Sequence, residues 1–150
     1  MEIRKLSNND VIKYRVALSK LMELCFASTY EKATKESLID EKINSLLIHT
    51  ENGSAYPLGA FDNDQLMGFV WAYPVSTPVE IVFHVAYIAV SADAQGNGVG
   101  RQLLKAVEST AKSIGLSSIE LIVGSRNNQA VQFYLGNDFY EDRLIMRKDL

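Results

Sequence analysis

The six residues Gln95-Gly96-Asn97-Gly98-Val99-Gly100 constrain this chain more than any other stretch. Before them runs Val79–Val90, rich in β-branched and aromatic residues, which predicts a central, buried strand. After them Val99, Leu103, Leu104, Val107, Ala111 and Ile114 recur at helical spacing, and Gly115 is placed to end the helix. Strand, glycine loop and helix in that order make an anion site. Bare backbone lets N–H groups approach a ligand closely, and the helix N-terminus adds positive potential. A pyrophosphate suits it, though glycines needed only for a tight turn would look the same. A Walker loop requires Lys-Ser/Thr after its last glycine, and Gly100 is followed by Arg101-Gln102. The dinucleotide pattern would start at Gly96 and meet Arg101 in its third glycine slot, so it too fits badly.

Elsewhere the pattern alternates between helix and strand. Glu2–Leu6 predicts a short strand, and Ser7-Asn8-Asn9-Asp10 supplies helix N-cap chemistry. Helices are predicted over Val11–Phe26 and Thr34–His49. Ala55–Phe61, Asp62-Asn63-Asp64 and Gln65–Tyr73 read as strand, turn and strand. Ser117–Val123 is a further strand, Asn127–Leu135 a helix, and Phe139–Met146 the closing strand or strands.

Composition narrows the classes. A chain of 150 residues with 47% apolar and 22% charged residues suits one domain spanning 1–150. A net charge of −3 argues against a general nucleic-acid binder. No Lys or Arg occurs between Asn52 and Gly100, which favours a cationic partner over an anionic one in that region. A single cysteine, Cys25, forbids an intrachain disulfide and points to a reducing compartment. With no apolar leader and no bilayer-length apolar run, a cytoplasmic location is expected, with no membrane partner and no metal.

Gln-x-x-Gly-x-Gly at Gln95–Gly100, together with Asn127-Asn128-Gln129-Ala130-Val131-Gln132-Phe133-Tyr134 downstream, resembles the paired signatures of the GNAT superfamily of acyl-CoA-dependent N-acetyltransferases. The order of predicted elements is similar over essentially the whole chain. One departure is Asp138, which occupies a slot where the family usually has glycine before Phe139. Where that slot needs a left-handed backbone, Asp tolerates it better than most residues but less well than Gly. The resemblance implies an α/β (α+β) fold: a single mixed, mostly antiparallel sheet with splayed central strands, flanked by about four helices. It implies acetyl-CoA as cofactor and transfer of acetyl to a primary amine by direct attack. The acceptor would be an amine-bearing small molecule or a peptide N-terminus, and a homodimer is compatible. An acyl-CoA-binding sensor without turnover is the alternative.

The resemblance also implies roles for residues. Gln95, Gly96, Asn97, Gly98, Val99, Gly100 and Arg101 would hold the pyrophosphate, Arg101 serving equally well as a solvated first-turn residue. The free strand edge at Ile88, Ala89 and Val90 would pair with the pantetheine amides, the Ile88 N–H serving as oxyanion donor. Asn127, with Ala130 and Phe133, would contact pantetheine, although Asn127 reads equally as an N-cap. Tyr134 would be the general acid for the leaving thiolate rather than a core aromatic. His84 falls where the family often has a glutamate base, and an ordinary buried histidine is the competing reading, with Glu80 next in line. Phe26, Tyr30, Trp71 and Tyr73 are nominated for the acceptor cleft, and each could equally be core. Cys25 reads as a buried apolar residue, because direct transfer needs no nucleophile on the protein.

Overall fold

The computed structural model describes residues 1–30 and 34–150. In chain order its elements are β1 (Glu2–Lys5), α1 (Asn8–Lys13), α2 (Arg15–Tyr30), α3 (Glu36–Glu51), β2 (Tyr56–Asp62) and β3 (Gln65–Ser76). There follow β4 (Ile81–Val90), a 3₁₀ turn at Ala92–Ala94, α4 (Val99–Ser113), β5 (Ile119–Leu121) and α5 (Asn128–Leu135). The strands form one sheet in sequence order, antiparallel except for the parallel β4–β5 pair. This is the mixed, mostly antiparallel architecture expected, with helices on both faces.

Local chemistry explains most boundaries. Ser7 caps α1 with a capping box: Asp10 N–H donates to Ser7 Oγ at 3.1 Å, and Ser7 N–H donates to Asp10 Oδ2 at 2.8 Å. The helix predicted over Val11–Phe26 is in fact two, because the chain leaves helical geometry at Tyr14 (φ −99°, ψ 18°). Asn63 and Asp64 both take positive φ in the β2–β3 turn, the geometry that matches strand twist.

Two core layers sandwich the sheet. Leu6, Leu18, Met22, Ile43, Leu46, Phe69 and Trp71 lie between one face and α1–α3. Val70, Ala72, Phe83, Val85, Leu103 and Val107 lie between the other face and α4. Membership alternates along each strand as pleating requires, except at two bulges, one at Met67 in β3 and one in β4. Trp71 opposes Tyr87 and Ala72 opposes Val85, so Ala86 is an extra residue, a β-bulge. Past the bulge the faces exchange, and His84 comes to oppose Tyr73 on the α2 side.

The pairing of β4 with β5 is short. It covers Phe83 with Ile119, His84 with Glu120 and Val85 with Leu121, and then the strands diverge. That divergence opens the splay that the resemblance implied.

The expected closing strand at Phe139–Met146 does not form. Residues 139–150 lie outside any helix or strand, with Tyr140, Leu144, Ile145 and Met146 exposed. Three charged residues, Glu141-Asp142-Arg143, interrupt the run, and no alternation gives it one apolar face to lay on the sheet. Asp138 does adopt the left-handed conformation that its slot implied, with φ 66°. Among the described residues no helix is long and apolar enough to cross a membrane.

Candidate active site

The splay between β4 and β5 opens a cavity of about 240 Å³. Its β4 wall includes His84, Tyr87 and Ile88; Cys25, Phe26 and Tyr30 come from α2; Asn127 and Tyr134 come from the α5 side. Tyr73 closes it from β3, its ring centroid 5.5 Å from that of His84. Of the residues nominated for an acceptor cleft, Phe26, Tyr30 and Tyr73 line this cavity. Trp71 does not: it is 5% exposed and belongs to the core between sheet and helices. Glu80 lies outside too, exposed in the turn before β4, where its N–H donates to Thr77 Oγ1 at 3.1 Å and its carbonyl accepts from Thr77.

The glycine loop reaches α4 just beyond the end of β4. Gly96 (φ 80°) and Gly98 (φ 76°) have left-handed backbone, and a Cβ on either would meet nothing within 4 Å, so the loop exposes bare backbone to open space. The first N–H groups of α4 have no carbonyl one turn back to bond and point outward there. The loop thus offers bare backbone N–H groups to an anion. It is anchored by Gln95, whose Nε2 donates to the Val90 carbonyl at 3.0 Å. Arg101 Nε donates to Asn137 Oδ1 at 3.2 Å, tying α4 to the end of α5. Phe133 meets Gly100 and forms the seam between these two helices.

Asn127 is the N-cap of α5: its Oδ1 accepts from Ala130 N–H at 3.1 Å. Its Nδ2 also donates to the Ser28 carbonyl at 3.3 Å, bridging the end of α2 to the start of α5. Gly124 fits the same junction, because a Cβ there would lie 3.1 Å from the Thr29 carbonyl oxygen.

Burial dominates the electrostatics. It pushes the Tyr134 phenol up to about 12, with the nearby Cys25 adding to the effect. Burial also pushes the Cys25 thiol up, against a smaller opposing pull from the Ile88 amide. Ile88, Cys25 and Tyr134 all line this one cavity. Tyr87 is pushed up to about 12 chiefly by burial as well.

One residue that sequence reasoning passed over stands beside His84. Glu120 Oε1 lies 3.3 Å from His84 Nδ1, and Glu120 Oε2 accepts from Arg143 Nη2 at 3.1 Å. The parallel register of β4 and β5 makes this contact. No local signal in the sequence announces it, because the two residues are 36 positions apart.

The family model described as "Acetyltransferase (GNAT) family" matches residues 16–138, and the chain belongs to that family. Mycothiol acetyltransferase of Renibacterium salmoninarum is 32% identical over 85 residues, a match taking in 55% of this chain and 25% of that protein. The chain thus spans about a quarter of that relative's length. Among solved structures, an aminoglycoside acetyltransferase from an uncultured soil metagenomic sample, in complex with sisomicin, superposes with a TM-score of 0.75 at 17% identity, covering 99% of this chain and 95% of that one. An aminoglycoside 6'-N-acetyltransferase from Acinetobacter haemolyticus gives 0.76 at 17% identity, over 100% and 98% of the respective chains. At such identity these two show the fold alone.

Proposed function

We propose that this chain moves an acetyl group from acetyl-CoA to a primary amine by direct attack. The observation that carries the reading is the convergence of the Ile88 amide, Tyr134 and His84 on one cavity, beside a glycine loop at a helix N-terminus.

Bound acetyl-CoA would supply an activated acetyl thioester. The protein's share is to place and polarise it. The unpaired edge of β4 beyond Val85 offers N–H and C=O groups to an extended amide-bearing arm. The Ile88 N–H is the donor for the carbonyl oxygen, held in place by the strand before the reaction begins. Tyr134 is the proton source for the departing sulfur. At about 12 the phenol holds its proton at neutral pH. The burial that strengthens its grip also raises a thiol beside it, as Cys25 shows, so a departing thiolate there is a stronger base than it would be in water.

The amine must arrive neutral. Deprotonating an alkylamine of pKa about 10.4 at pH 7 costs about 4.6 kcal/mol, against about 1.4 for a peptide α-amine near 8. His84 is the base in this reading, as the imidazole that β4 turns toward the cavity. The aromatic rings of Phe26, Tyr30 and Tyr73 suit a cationic acceptor before it loses its proton. Names of relatives that refer to mycothiol and aminoglycosides support an amine acceptor.

The test is release of free CoA thiol across a panel of amines, run beside calorimetry with acetyl-CoA. Acetyl-CoA binding with amine-dependent thiol release is the expected result. Binding without release on any amine would instead indicate a sensor, and no binding would sink the reading.

A further inference from the structure

We infer that Glu120 is the positioning residue for His84: it fixes the ring proton on Nδ1, so that Nε2 offers its lone pair to the cavity, and Arg143 holds Glu120 in turn. This deepens the acetyl-transfer reading and rests on it for the identity of the proton donor.

The two residues are a register pair of parallel strands, so the backbone sets their separation rather than a pair of mobile side chains. Glu120 Oε1 and His84 Nδ1 are 3.3 Å apart, with side chains 31% and 19% exposed. A carboxylate only accepts, so this contact requires a proton on Nδ1. Neutral imidazole then carries its lone pair on Nε2, which has no protein partner among the described residues. The second carboxylate oxygen is taken by Arg143. Arg143 is 72% exposed, so its pair with Glu120 contributes little energy and acts mainly on the rotamer.

The arrangement does two things for a base. It removes the tautomer that would aim an N–H at the amine. It also places negative charge beside the imidazolium that forms. The amine proton passes to Nε2 as the nitrogen lone pair is freed to attack, and the imidazolium later returns that proton to water. A carboxylate behind a histidine plays the same part in hydrolytic triads. The other titratable groups sharing the cavity are Tyr73 on β3, Tyr87 on β4, Cys25 and Tyr30 on α2, and Tyr134 on α5. None of them is a carboxylate, so Glu120 is the acceptor that sets the tautomer.

The chain has two histidines, so ¹⁵N-histidine labelling with a His49→Gln variant to assign the signals isolates His84. Above its titration, wild-type His84 should show a protonated Nδ1 and a lone-pair Nε2 by ¹⁵N chemical shift. In Glu120→Ala the two should shift toward each other or reverse, and Glu120→Asp should restore the wild-type pattern in part. With an alkylamine acceptor, kcat/KM of Glu120→Ala should fall about 10²-fold, the low end of what a general base contributes. With aniline, already neutral at pH 7, the loss should be far smaller. Arg143→Ala should cost about two- to fivefold, as an exposed pair implies. Identical tautomers in wild type and Glu120→Ala would overturn the inference, as would equal losses on both amines. If no amine is turned over while the tautomers behave as expected, the acetyl-transfer reading falls and the positioning role stands.

Discussion

Phe133 lies over Gly100 so closely that a Cβ on Gly100 would come within 3.0 Å of the ring's Cζ. The loop that starts α4 and the helix carrying Tyr134 are therefore in direct contact. Gly100→Ala should push Phe133 outward and carry Tyr134 with it. We expect turnover to fall while the melting temperature changes by no more than a few degrees, because α5 has no fully buried residue to resist the shift. Phe133→Leu in the same chain should recover part of the loss. Strictly additive effects of the two changes would show that the contact does not couple loop and helix.

Gly98 tests the anion site. Its left-handed φ of 76° makes any side chain there cost about 1–2 kcal/mol in backbone strain, although space is open around it. Gly98→Ala should lose that much stability and still show an acetyl-CoA-induced rise in melting temperature. Gly98→Asp should lose the rise as well, because a carboxylate would face the phosphates. A full rise in the aspartate variant would place the phosphates elsewhere.

Tyr134→Phe removes one hydroxyl and keeps the ring against Phe133 and Phe139. Acetyl-CoA affinity should survive while turnover drops about 10²–10⁴-fold, the range of a general acid. Undiminished turnover would assign the proton to another group.

The same phenol makes a prediction about alkaline stability. Burial raises Tyr134 from 10.0 to about 12, so between those values the folded protein keeps a proton that the unfolded chain has given up. The stability linked to it is complete below pH 10 and is lost as pH rises toward 12. Tyr87 adds a slope of the same sign. Denaturant midpoints measured from pH 9 to 12 should fall, and fall less steeply in Tyr134→Phe. Parallel curves would mean that the hydroxyl is solvated.

At the other end of the scale stands Asp10. Arg4 donates to both of its carboxylate oxygens, at 2.8 and 3.0 Å, and these bonds with those from Ser7 hold its carboxyl well below the usual range. A lowered value stabilises the fold above the ordinary carboxylate pKa, and that contribution drains away as pH falls below it. Asp10→Asn should cost about 1 kcal/mol at pH 7, a typical capping loss, and much less near pH 2. Urea titrations at the two pH values would decide the matter, and an equal cost at both would deny the ion pair any share.

Much of this molecule could be read from its residues. The glycine loop, the helix behind it, the hairpin and the Asn127 cap all rest on short-range chemistry, and Asp138 took the backbone its slot implied. Three things could not be read. Tyr14 interrupts a helix where its ring packs edge-on against Phe61 of β2, a contact 47 positions away that no local pattern announces. Residues 139–146 carry strand-forming residues but no usable alternation. Glu120 became a neighbour of His84 only through a parallel register set by the whole βαβ crossover. Trp71 and Tyr73 show the limit most simply. They are two residues apart on one face of β3, yet one is sealed under the helices and the other reaches the cavity.

The extra residue at Ala86 makes His84 a matter of counting. Along an unbroken strand, Tyr87 and His84 would project to opposite sides, three positions being an odd number. With one residue looped out they share a side. The set of side chains that faces this cavity is therefore sensitive to register as well as to chemistry. With Ala86 drawn back into an unbroken pleat, Tyr87 would keep its side and the imidazole would turn into the α4 core, while Val85 took its place before the cavity. Two sequences aligned without regard to that one position could agree on the histidine and disagree on which half of the molecule it serves.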